Sequence, residues 1–369
     1  MTVYDLAIAG AGPAGSVLAL LAARARYRVL LVEKSNFDRR RFGETAPPEL
    51  RQALTRVGLE HLAQAPLCRD APEVLSVWGS DEPRSRHHIF SPYGTALHLD
   101  RRAFDEALAL AARDAGADLR LGCAARFATE PRGGYIVQLS TGQRIRANAA
   151  ILATGRAGGG LGLAYVRQYL DSNVAVAARF SLPAGHLDTR TVIEAVPGGW
   201  FYLAALPGNE VVAIFITLAT LVPSERRARF RWWLEALAKT SVVRSALNRC
   251  RLPENLSVAN ARASFARSGA GDHWLAIGDA RIAPDPLSGQ GIIWAIDDAA
   301  SAMELLTRMH WRDLAEEMRA RTLRDVEAYL AERSRVYLSE QRFTDDAYWS
   351  AVSRSSAIPP HHPAVPADR

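Results

Sequence analysis

A glycine-rich turn near the start of the chain constrains its fold more than any other feature. Tyr4–Ala9 is a short apolar run that predicts a buried parallel strand, and it leads directly into Gly10-Ala11-Gly12-Pro13-Ala14-Gly15. Ala14–Ala25 is rich in Ala and Leu and predicts a helix, while Arg28–Glu33 predicts a second strand. A strand, a turn, a helix and a second strand within about 30 residues indicate a βαβ unit.

The spacing of the turn residues is typical of a dinucleotide site. Gly10 permits the tight turn, Gly12 lets a pyrophosphate approach the backbone, and Gly15 lets the helix pack closely on the strand. The helix start at Pro13 and Ala14 directs free N–H groups and the positive end of the helix dipole towards the phosphates. The alternative is an ordinary tight turn without a ligand.

An acidic residue ends the second strand. The carboxylate of Glu33 can accept hydrogen bonds from an adenosine ribose, and it would repel a 2′-phosphate, which disfavours NADP. Lys34 follows Glu33 and is also predicted to contact the adenosine end of the cofactor. The turn and Glu33 are therefore predicted to hold the ADP half of a dinucleotide.

A second glycine-rich segment favours FAD over NAD. Trp274–Ile277 predicts a buried strand that ends in Gly278-Asp279, and Asp285-Pro286-Leu287-Ser288-Gly289-Gln290-Gly291 then opens a helix. The carboxylate of Asp279 can bind a polyol such as ribitol. A glycine-rich helix start places N–H groups against the pyrimidine edge of a flavin, which gains negative charge on reduction. NAD needs no such second site.

The middle of the chain has a different pattern. Short β-rich runs separated by Pro and Gly predict one antiparallel sheet, with strands at Val174–Phe180, Thr191–Val196, Trp200–Leu206 and Glu210–Thr217. Helices are predicted at Pro48–Gln64, Arg101–Ala115, Arg226–Ala238, Gly289–Leu306 and Asp313–Glu340. We expect an FAD-binding domain of residues 1–78, 98–165 and 256–310, a substrate domain of 79–97 and 166–255, and a C-terminal helix and fraying tail of 311–369.

Composition excludes several functions. The net charge is +6, but the arginines are scattered and interleaved with Asp and Glu, which argues against nucleic-acid binding. No apolar run approaches the roughly 20 residues of a membrane span, and the N-terminus lacks signal-peptide features, so a cytoplasmic enzyme is expected. The three cysteines, Cys68, Cys123 and Cys250, lack metal-ligand spacing, and no metal is expected.

The two nucleotide motifs together resemble the flavoprotein superfamily of aromatic hydroxylases, flavin-dependent halogenases and geranylgeranyl reductases. The resemblance implies an α/β fold, with a Rossmann-like FAD-binding domain of the glutathione reductase type, an inserted antiparallel β-sheet substrate domain and C-terminal helices. It also implies that Asp279 binds ribitol, that Gly289–Gly291 line the isoalloxazine, and that Arg41 and Arg101 contact FAD, with surface ion pairs as the alternative for both arginines. The remaining predicted cofactor residues are Gly43, Ala124, Gly155, Gly278, Pro286, Ser288 and Gln290.

Further stretches resemble a narrower group, the flavoproteins that help mature protein-derived tryptophylquinone cofactors. The stretches are Gly43-Glu44-Thr45-Ala46-Pro47-Pro48, Trp78-Gly79-Ser80-Asp81, Pro92-Tyr93-Gly94, His98-Leu99-Asp100-Arg101 and Glu340-Gln341-Arg342-Phe343. Known members accompany lysine ε-oxidase, glycine oxidase or quinohemoprotein amine dehydrogenase. The resemblance implies a post-translational modification, hydroxylation of a tryptophan side chain within a peptide or protein. The chain departs from the group at Thr95-Ala96-Leu97, where a second His and a Trp are expected.

Lysine usage disfavours the halogenase branch. Such halogenases use a lysine between flavin and substrate, and this chain has only Lys34, which follows the adenosine-binding strand at the wrong end of FAD, and Lys239, which is remote from any flavin motif. Hydroxylation of an electron-rich ring through a flavin hydroperoxide is therefore the predicted reaction. Glu44, His98 and Asp285 are the candidate proton-handling residues. A helix cap for Asp285 and a buried, hydrogen-bonded imidazole for His98 are the alternatives.

Aromatic residues near the flavin motifs are the candidate substrate contacts. They are Trp78, Tyr93, Trp200 and Tyr202, and core packing is the alternative for each. The expected partners are O2, the aromatic substrate, and either NAD(P)H or a separate flavin reductase, because no second dinucleotide turn is present. Two other functions remain open, an alkene reductase of the geranylgeranyl reductase kind and a non-catalytic chaperone that keeps FAD for stability.

Overall fold

The structure is a computed structural model that describes residues 3–131, 133–156, 158–181, 189–253 and 255–356. Its strands are β1 (Val3–Ala9), β2 (Val29–Val32), β3 (Thr45–Ala46), β4 (Cys68–Ala71), β5 (Glu73–Val77), β6 (Arg84–His87), β7 (Ala96–Leu99), β8 (Asp118–Arg120), β9 (Ala125–Thr129), β10 (Tyr135–Leu139), β11 (Arg144–Leu152), β12 (Val166–Tyr169), β13 (Asn173–Ser181), β14 (Thr191–Val196), β15 (Gly199–Leu206), β16 (Glu210–Leu218), β17 (Ser257–Asn260), β18 (Ser264–Ser268), β19 (Ala270–Gly271), β20 (Trp274–Ala276) and β21 (Ile282–Ala283). Its helices are α1 (Pro13–Arg24), α2 (Glu49–Arg56), α3 (Arg101–Asp114), α4 (Arg226–Ala238), α5 (Val242–Leu247), α6 (Gly291–Arg308), α7 (Trp311–Leu338) and α8 (Ala347–Ser356).

A parallel sheet forms the first layer. Its strand order is β19-β20-β11-β1-β2-β8, and β1 pairs in parallel with both β2 and β11, while β11 pairs in parallel with β20. Because successive side chains of a strand point to opposite faces, Leu6 and Ile8 pack with the helices α1, α3 and α6, whereas Ala7 and Ala9 pack with the β9–β10 hairpin. The predicted βαβ unit and α/β fold class are confirmed.

A mostly antiparallel sheet forms the second layer. Its order is β17-β13-β16-β15-β14-β5-β6, so it contains the four strands predicted for the middle of the chain. One face packs on α4 and α5, where Trp233 is buried against Phe201, and the other packs on α7 and α8. The expected boundary after residue 78 assigns β5 to the cofactor domain, whereas β5 pairs in parallel with β14 in this second sheet. The domain division as a whole stays a prediction.

Two small sheets, β3-β7-β4 and β12-β18-β21, lie beside the two large ones. The first is close to the predicted flavin loop, since β3 follows Glu44 directly and pairs with β7, the strand that carries His98. The second pairs β18 with β21, which lies just ahead of the turn at Pro286–Ser288. Both sheets thus help to position segments that the sequence assigns to the cofactor.

Two predicted elements differ from the structure. The helix predicted for Pro48–Gln64 ends at Arg56, because Gly58 takes a positive φ of 68° and only a short 3₁₀ turn follows. The helix α8 was not predicted, although its Tyr348, Trp349 and Val352 are buried in the core. The expected fraying of the tail concerns mainly residues 357–369, which lie outside the described residues.

Candidate active site

The glycine-rich turn has the geometry that its sequence predicts. Gly10 has a φ of +106°, and a Cβ there would lie 2.2 Å from the carbonyl oxygen of Ala153. A Cβ on Gly15 would lie 1.9 Å from the carbonyl oxygen of Gly10, so the helix α1 approaches the strand as closely as a glycine allows. At Gly12 the nearest atom is a guanidinium nitrogen of Arg41 at 3.8 Å. The space in front of Gly12 is therefore open to a phosphate.

Glu33 is buried at the end of β2. One carboxylate oxygen accepts a hydrogen bond from the Ala11 backbone N–H at 2.9 Å, and the other accepts from the N–H and hydroxyl of Ser35 at 3.1 and 2.7 Å. Arg41 lies 3.4 Å from the same carboxylate. Lys34 is exposed beside it. The acid thus sits against the turn, as an adenosine-binding carboxylate must.

A series of paired charged side chains extends from Glu33 into the interior of the molecule. Asp105 on α3 is fully buried and accepts from Arg41 at 2.9 Å and from Arg101 at 3.1 Å. Arg101 also donates to the carbonyl oxygens of Phe42 and Gly43 at 2.8 and 3.1 Å. Burial alone would lower the pKa of Arg101, but the Asp105 carboxylate more than offsets it, and the pKa is raised. The Asp105 carboxylate therefore stabilises the charged form of Arg101.

The second motif packs directly on the first. Gly278 has a φ of +59°, and a Cβ there would lie 2.6 Å from the Cβ of Ala14, so the strand end that carries Asp279 touches the start of α1. Asp279 is partly exposed, lies 3.5 Å from Arg156 and faces the start of α6 at Gly291. Gly289 has a φ of +62° and open space around it.

These positions fit FAD. Glu33 and Asp279 follow β2 and β20 at the same carboxyl edge of the parallel strands, and we call the region between them the cofactor groove. Arg41 lies beside Glu33 and Arg156 beside Asp279, and together with Arg101 they can supply positive charge for a diphosphate. Glycines keep the groove open at Gly12 and Gly289, where a side chain would fill it. A dinucleotide with one acid-bound sugar at each end matches this arrangement.

The other predicted cofactor residues have mixed surroundings. Gly155 has a φ of +69° with open space around it, and Gly43 has a φ of +93° beside Arg101. The backbone N–H and C=O of Ala124 are both hydrogen-bonded to Ser140, at 3.0 and 2.8 Å. Pro286 and Ser288 form the short 3₁₀ turn before Gly289, and Gln290 accepts from the Trp294 ring N–H at 2.8 Å. The role of each in binding stays a prediction.

Glu44 lies where the cofactor domain meets the second sheet. Its side chain is 1% exposed, accepts from the Gly43 N–H at 2.9 Å and from Arg179 of β13 at 3.0 Å. Burial raises the pKa of Glu44, although Arg179 opposes the shift. Next to it, the hydroxyl of Tyr202 hydrogen-bonds Thr45 of β3, and burial followed by the Glu44 charge raises the pKa of Tyr202. At this junction the Glu44 carboxyl can keep its proton to a higher pH than an ordinary carboxyl can.

His98 occupies a structural position. It is fully buried, with Nδ1 2.6 Å from the Ala205 carbonyl oxygen and Nε2 3.0 Å from the Thr191 hydroxyl. Both ring nitrogens therefore tie β7 to the second sheet. This geometry favours the packing alternative over proton transfer to a substrate.

Asp285 caps the 3₁₀ turn and anchors it to the C-terminal helix. One oxygen accepts from the Leu287 N–H at 2.9 Å, and the other accepts from Asn173 at 3.2 Å and from the Tyr337 hydroxyl at 3.0 Å. Arg333 lies 3.8 Å away. The Asp285 side chain is 2% exposed, and its contacts match the alternative interpretation of this residue as a helix cap. A cavity of about 500 Å³ borders this network, lined by Asp285, Leu287, Trp294, Tyr329, Arg333 and Tyr337.

Three of the four candidate substrate aromatics, Trp78, Trp200 and Tyr202, belong to one packed cluster. Trp200 is fully buried and donates its ring N–H to the hydroxyls of Tyr337 and Tyr348, at 3.2 and 3.0 Å. Trp78 stacks edge-on against Trp200 with ring centroids 6.4 Å apart. Tyr93 is half-buried on a loop outside that cluster. Tyr202 shares the sheet face of Trp200 but reaches the Glu44 junction.

Sequence reasoning missed three residues that organise the site. Asp105 joins two predicted FAD contacts, and its spacing of four residues from Arg101 on a helix was the available signal. Arg179 interrupts an otherwise apolar strand, which marks a charge with a buried partner. Arg333 pairs with Asp171 at 3.0 Å inside the C-terminal network, and nothing in the local sequence distinguishes it from the many surface arginines of α7.

Within the described ranges, no helix combines the length and the apolar character that a bilayer crossing requires. In the same part of the chain, no group of three or more His, Cys, Asp and Glu side chains is arranged to hold a metal ion.

Comparison with known proteins identifies the family of this chain. Residues 80–365 match the family model described as tryptophan halogenase. The chain belongs to the tryptophan halogenase family. It is 26% identical over 367 residues to "Putative FAD-dependent oxidoreductase LodB" of Marinomonas mediterranea, covering 97% of this chain and 99% of LodB. It is 29% identical over 325 residues to the menaquinone reductase of Mycobacterium tuberculosis, covering 84% of this chain and 78% of that protein.

Solved structures share the fold. The chain matches the myxobacterial chondrochloren halogenase CndH with a TM-score of 0.83 and 22% identity, over 95% of this chain and 86% of CndH. It matches the peptidyl tryptophan dihydroxylase QhpG with a TM-score of 0.76 and 22% identity, over 95% of this chain and 79% of QhpG. The predicted superfamily and its fold are confirmed.

Proposed function

We propose that this chain is an FAD-dependent monooxygenase that hydroxylates an aromatic ring, the indole of a tryptophan within a peptide or protein. The class of FAD-dependent oxidoreductase follows from the family. The choice of hydroxylation rests on one observation, the positions of the lysines. Lys34 is exposed beside Glu33 at the adenosine end, and Lys239 ends α4 on the opposite face of the second sheet from Tyr202. No amine is therefore placed to hold a hypohalous acid at the junction.

When bound and reduced, FAD supplies the activation of O2 and the transfer of one oxygen atom to the ring, while the second oxygen leaves as water. The protein supplies the surroundings. Arg41, Arg101 and Arg156 would neutralise the charge of a bound diphosphate, and the N–H groups at the start of α6 would stabilise negative charge on a reduced flavin. The Asp285 cap fixes the turn before α6, because its carboxylate is held from three elements at once.

The Glu44 junction provides the proton-handling group. Its carboxyl is buried between the flavin loop and the second sheet, and burial raises its pKa, so it keeps a proton to a higher pH than an exposed carboxyl does. Arg179 and the Gly43 N–H hold its orientation, and Tyr202 adds a hydroxyl on the substrate side. Together they exclude water from one side of the reacting ring.

The peptidyl nature of the substrate is supported by one solved structure that shares the fold. QhpG is described as a peptidyl tryptophan dihydroxylase essential for tryptophylquinone cofactor biogenesis. The same chemistry here would prepare a quinone cofactor in a partner protein, with electrons from NAD(P)H or from a separate flavin reductase.

The test is mass spectrometry of a peptide with one tryptophan, incubated with the protein, FAD, NADPH, a flavin reductase, O2 and bromide. We expect a gain of one or two oxygen atoms on the tryptophan and none on a matched peptide with phenylalanine. A bromine isotope pattern would instead establish halogenation. No modification of any tryptophan peptide or free indole, with the protein fully loaded with FAD, would refute the proposal.

An alkene reductase is the second candidate, because one relative is a menaquinone reductase. A polyprenyl substrate needs a long apolar tunnel, whereas the cavity of about 500 Å³ beside the Asp285 turn is bordered by the charged residues Arg321, Asp325 and Glu332. Anaerobic oxidation of the reduced flavin by a quinone or polyprenyl alkene, with a gain of two hydrogens, would favour this reaction.

A further inference from the structure

We infer that the free edge of β6, Arg84–His87, docks an acidic extended segment of the substrate protein as an added strand and presents its tryptophan to the Tyr202 face of the second sheet. This inference rests on the proposed function, because it names how a peptidyl substrate is held. Strand addition to a sheet edge is a common mode of peptide recognition.

The backbone of β6 offers hydrogen bonds at this edge. The strand is last in the second sheet, pairs with β5 among the described residues, and is exposed along its whole length. The His88 N–H donates to the Pro72 carbonyl at 2.8 Å, so His88, Arg86 and Arg84 turn their backbone groups towards β5. Successive residues of an antiparallel strand alternate between directing their backbone N–H and C=O groups towards the partner strand and away from it. Ser85 and His87 therefore direct these groups outward. Two residues thus present donors and acceptors at the spacing of a missing strand.

The charge at this edge fits an acidic partner. Arg84 and Arg86 point to one face, where their cross-strand neighbours are Ser76 and Val74. Neither guanidinium makes an ion pair or hydrogen bond with any other part of the described chain. Arginines on an edge strand also discourage aggregation, and that simpler role predicts no preference between peptides of different charge.

Apolar surface follows the strand directly. Ile89 is 79% exposed and Phe90 is 94% exposed, a pair of large side chains that a monomeric surface seldom presents side by side. A docked segment with an apolar residue beyond its acidic run would cover both. The edge therefore offers backbone pairing, positive charge and an apolar contact in sequence.

The sheet register connects this edge to the junction. Arg84 pairs with Ser76, Ser76 with Ile193, and Ile193 with Tyr202, so all four side chains share one row and one face. Three strand spacings separate Arg84 from Tyr202, about 14 Å. About four extended residues span that distance, so a segment paired with β6 can turn a nearby tryptophan onto Tyr202.

The C-terminal segment holds the edge in place. The Gly79 N–H, in the β5–β6 turn, donates to Glu340 at 2.8 Å, and Arg342 pairs with Asp81 of the same turn at 2.8 Å. Arg342 also pairs with Glu340, and the Glu340 side chain is buried. A fixed edge costs less entropy on docking than a mobile one.

Fluorescence anisotropy with the full chain loaded with FAD tests this inference. The probe is a short labelled peptide with one tryptophan among Asp, Glu and Val, and a matched probe has Lys in place of the acids. Ser85→Pro removes an outward N–H that β5 does not use, a change that edge strands tolerate. We expect it to weaken binding of the acidic probe about fivefold. Arg84→Glu with Arg86→Glu should weaken it about tenfold, whereas Arg144→Glu, at the exposed start of β11 in the other large sheet, should have no effect.

The outcomes separate the inference from the proposed function. Support requires that Ser85→Pro lowers kcat/KM for the peptide but not for free tryptophanamide, with FAD content and circular dichroism unchanged. Equal binding of acidic and basic probes, or no effect of the Arg84 and Arg86 reversals, overturns the inference and leaves hydroxylation intact. Edge-dependent binding without any hydroxylation overturns the proposed function instead. If Ser85→Pro fails to fold, the charge reversals decide.

Discussion

Substitution of Gly12 by alanine separates cofactor binding from folding. The residue has φ −76° and ψ −174°, which alanine adopts without strain, and its Cβ would meet only the Arg41 guanidinium at 3.8 Å. The free protein should therefore keep its free energy of unfolding within about 1 kcal/mol. The same methyl group would stand where a diphosphate approaches the turn. Crowding of that kind costs about 1–3 kcal/mol, which corresponds to a loss of FAD affinity of about fivefold to about 150-fold.

The assay has two readouts for each variant, urea denaturation of the FAD-free protein and quenching of flavin fluorescence during titration with FAD. Gly15→Ala is the matched control, since its Cβ would lie 1.9 Å from the Gly10 carbonyl oxygen. That clash with backbone should destabilise the free protein as well as weaken binding. If Gly12→Ala binds FAD as tightly as the wild type, the diphosphate does not lie at this turn and the assignment of the groove is wrong.

Three other substitutions test the charges around the site. Asp105→Asn removes the carboxylate partner of Arg101 and leaves Arg41 with Glu33 alone, so it should cost about 3 kcal/mol in urea denaturation; an unchanged midpoint would show that the arginines are satisfied by their other partners. Burial and then the neighbouring Asp285 charge raise the pKa of Asp171 from 3.8 to about 6, so its protonated form stabilises the fold below pH 4 and this contribution is lost as pH rises towards 6. The stability of the wild type relative to Asp171→Asn should fall across that window, and a rise would contradict the sign. Tyr337→Phe removes the hydroxyl that donates to Asp285 and should cost about 1–2 kcal/mol, seen as a lower Tm with FAD bound; no change in Tm would mean that the Asp285 turn is held by its other partners.

Local sequence signals predicted the cofactor groove because each of its parts depends on backbone geometry near its own residues. Gly10 and Gly278 take positive φ values, and their strands and helices are short, apolar and punctuated by glycine. The contact between Gly278 and Ala14 joins segments far apart in the chain, yet the acid at each strand end was enough to anticipate it.

The substrate side was less predictable because its residues act through distant partners. Trp200 and Trp78 are aromatic and near flavin motifs in sequence, but the unpredicted helix α8 supplies Tyr348 and encloses Trp200. His98 likewise is bonded to β15 and to Thr191, contacts that only the folded sheets create. Polarity and proximity in sequence do not distinguish such packed residues from residues that face a substrate.

Titration of the FAD-free protein with FAD, followed by absorption and by flavin fluorescence, tests the central claim most directly. We predict a yellow complex of one FAD per chain, with affinity reduced by Glu33→Gln and by Asp279→Asn, one variant for each sugar. A protein that remains colourless at saturating FAD, or that binds FAD with both acids removed as well as it does with them, would contradict the account.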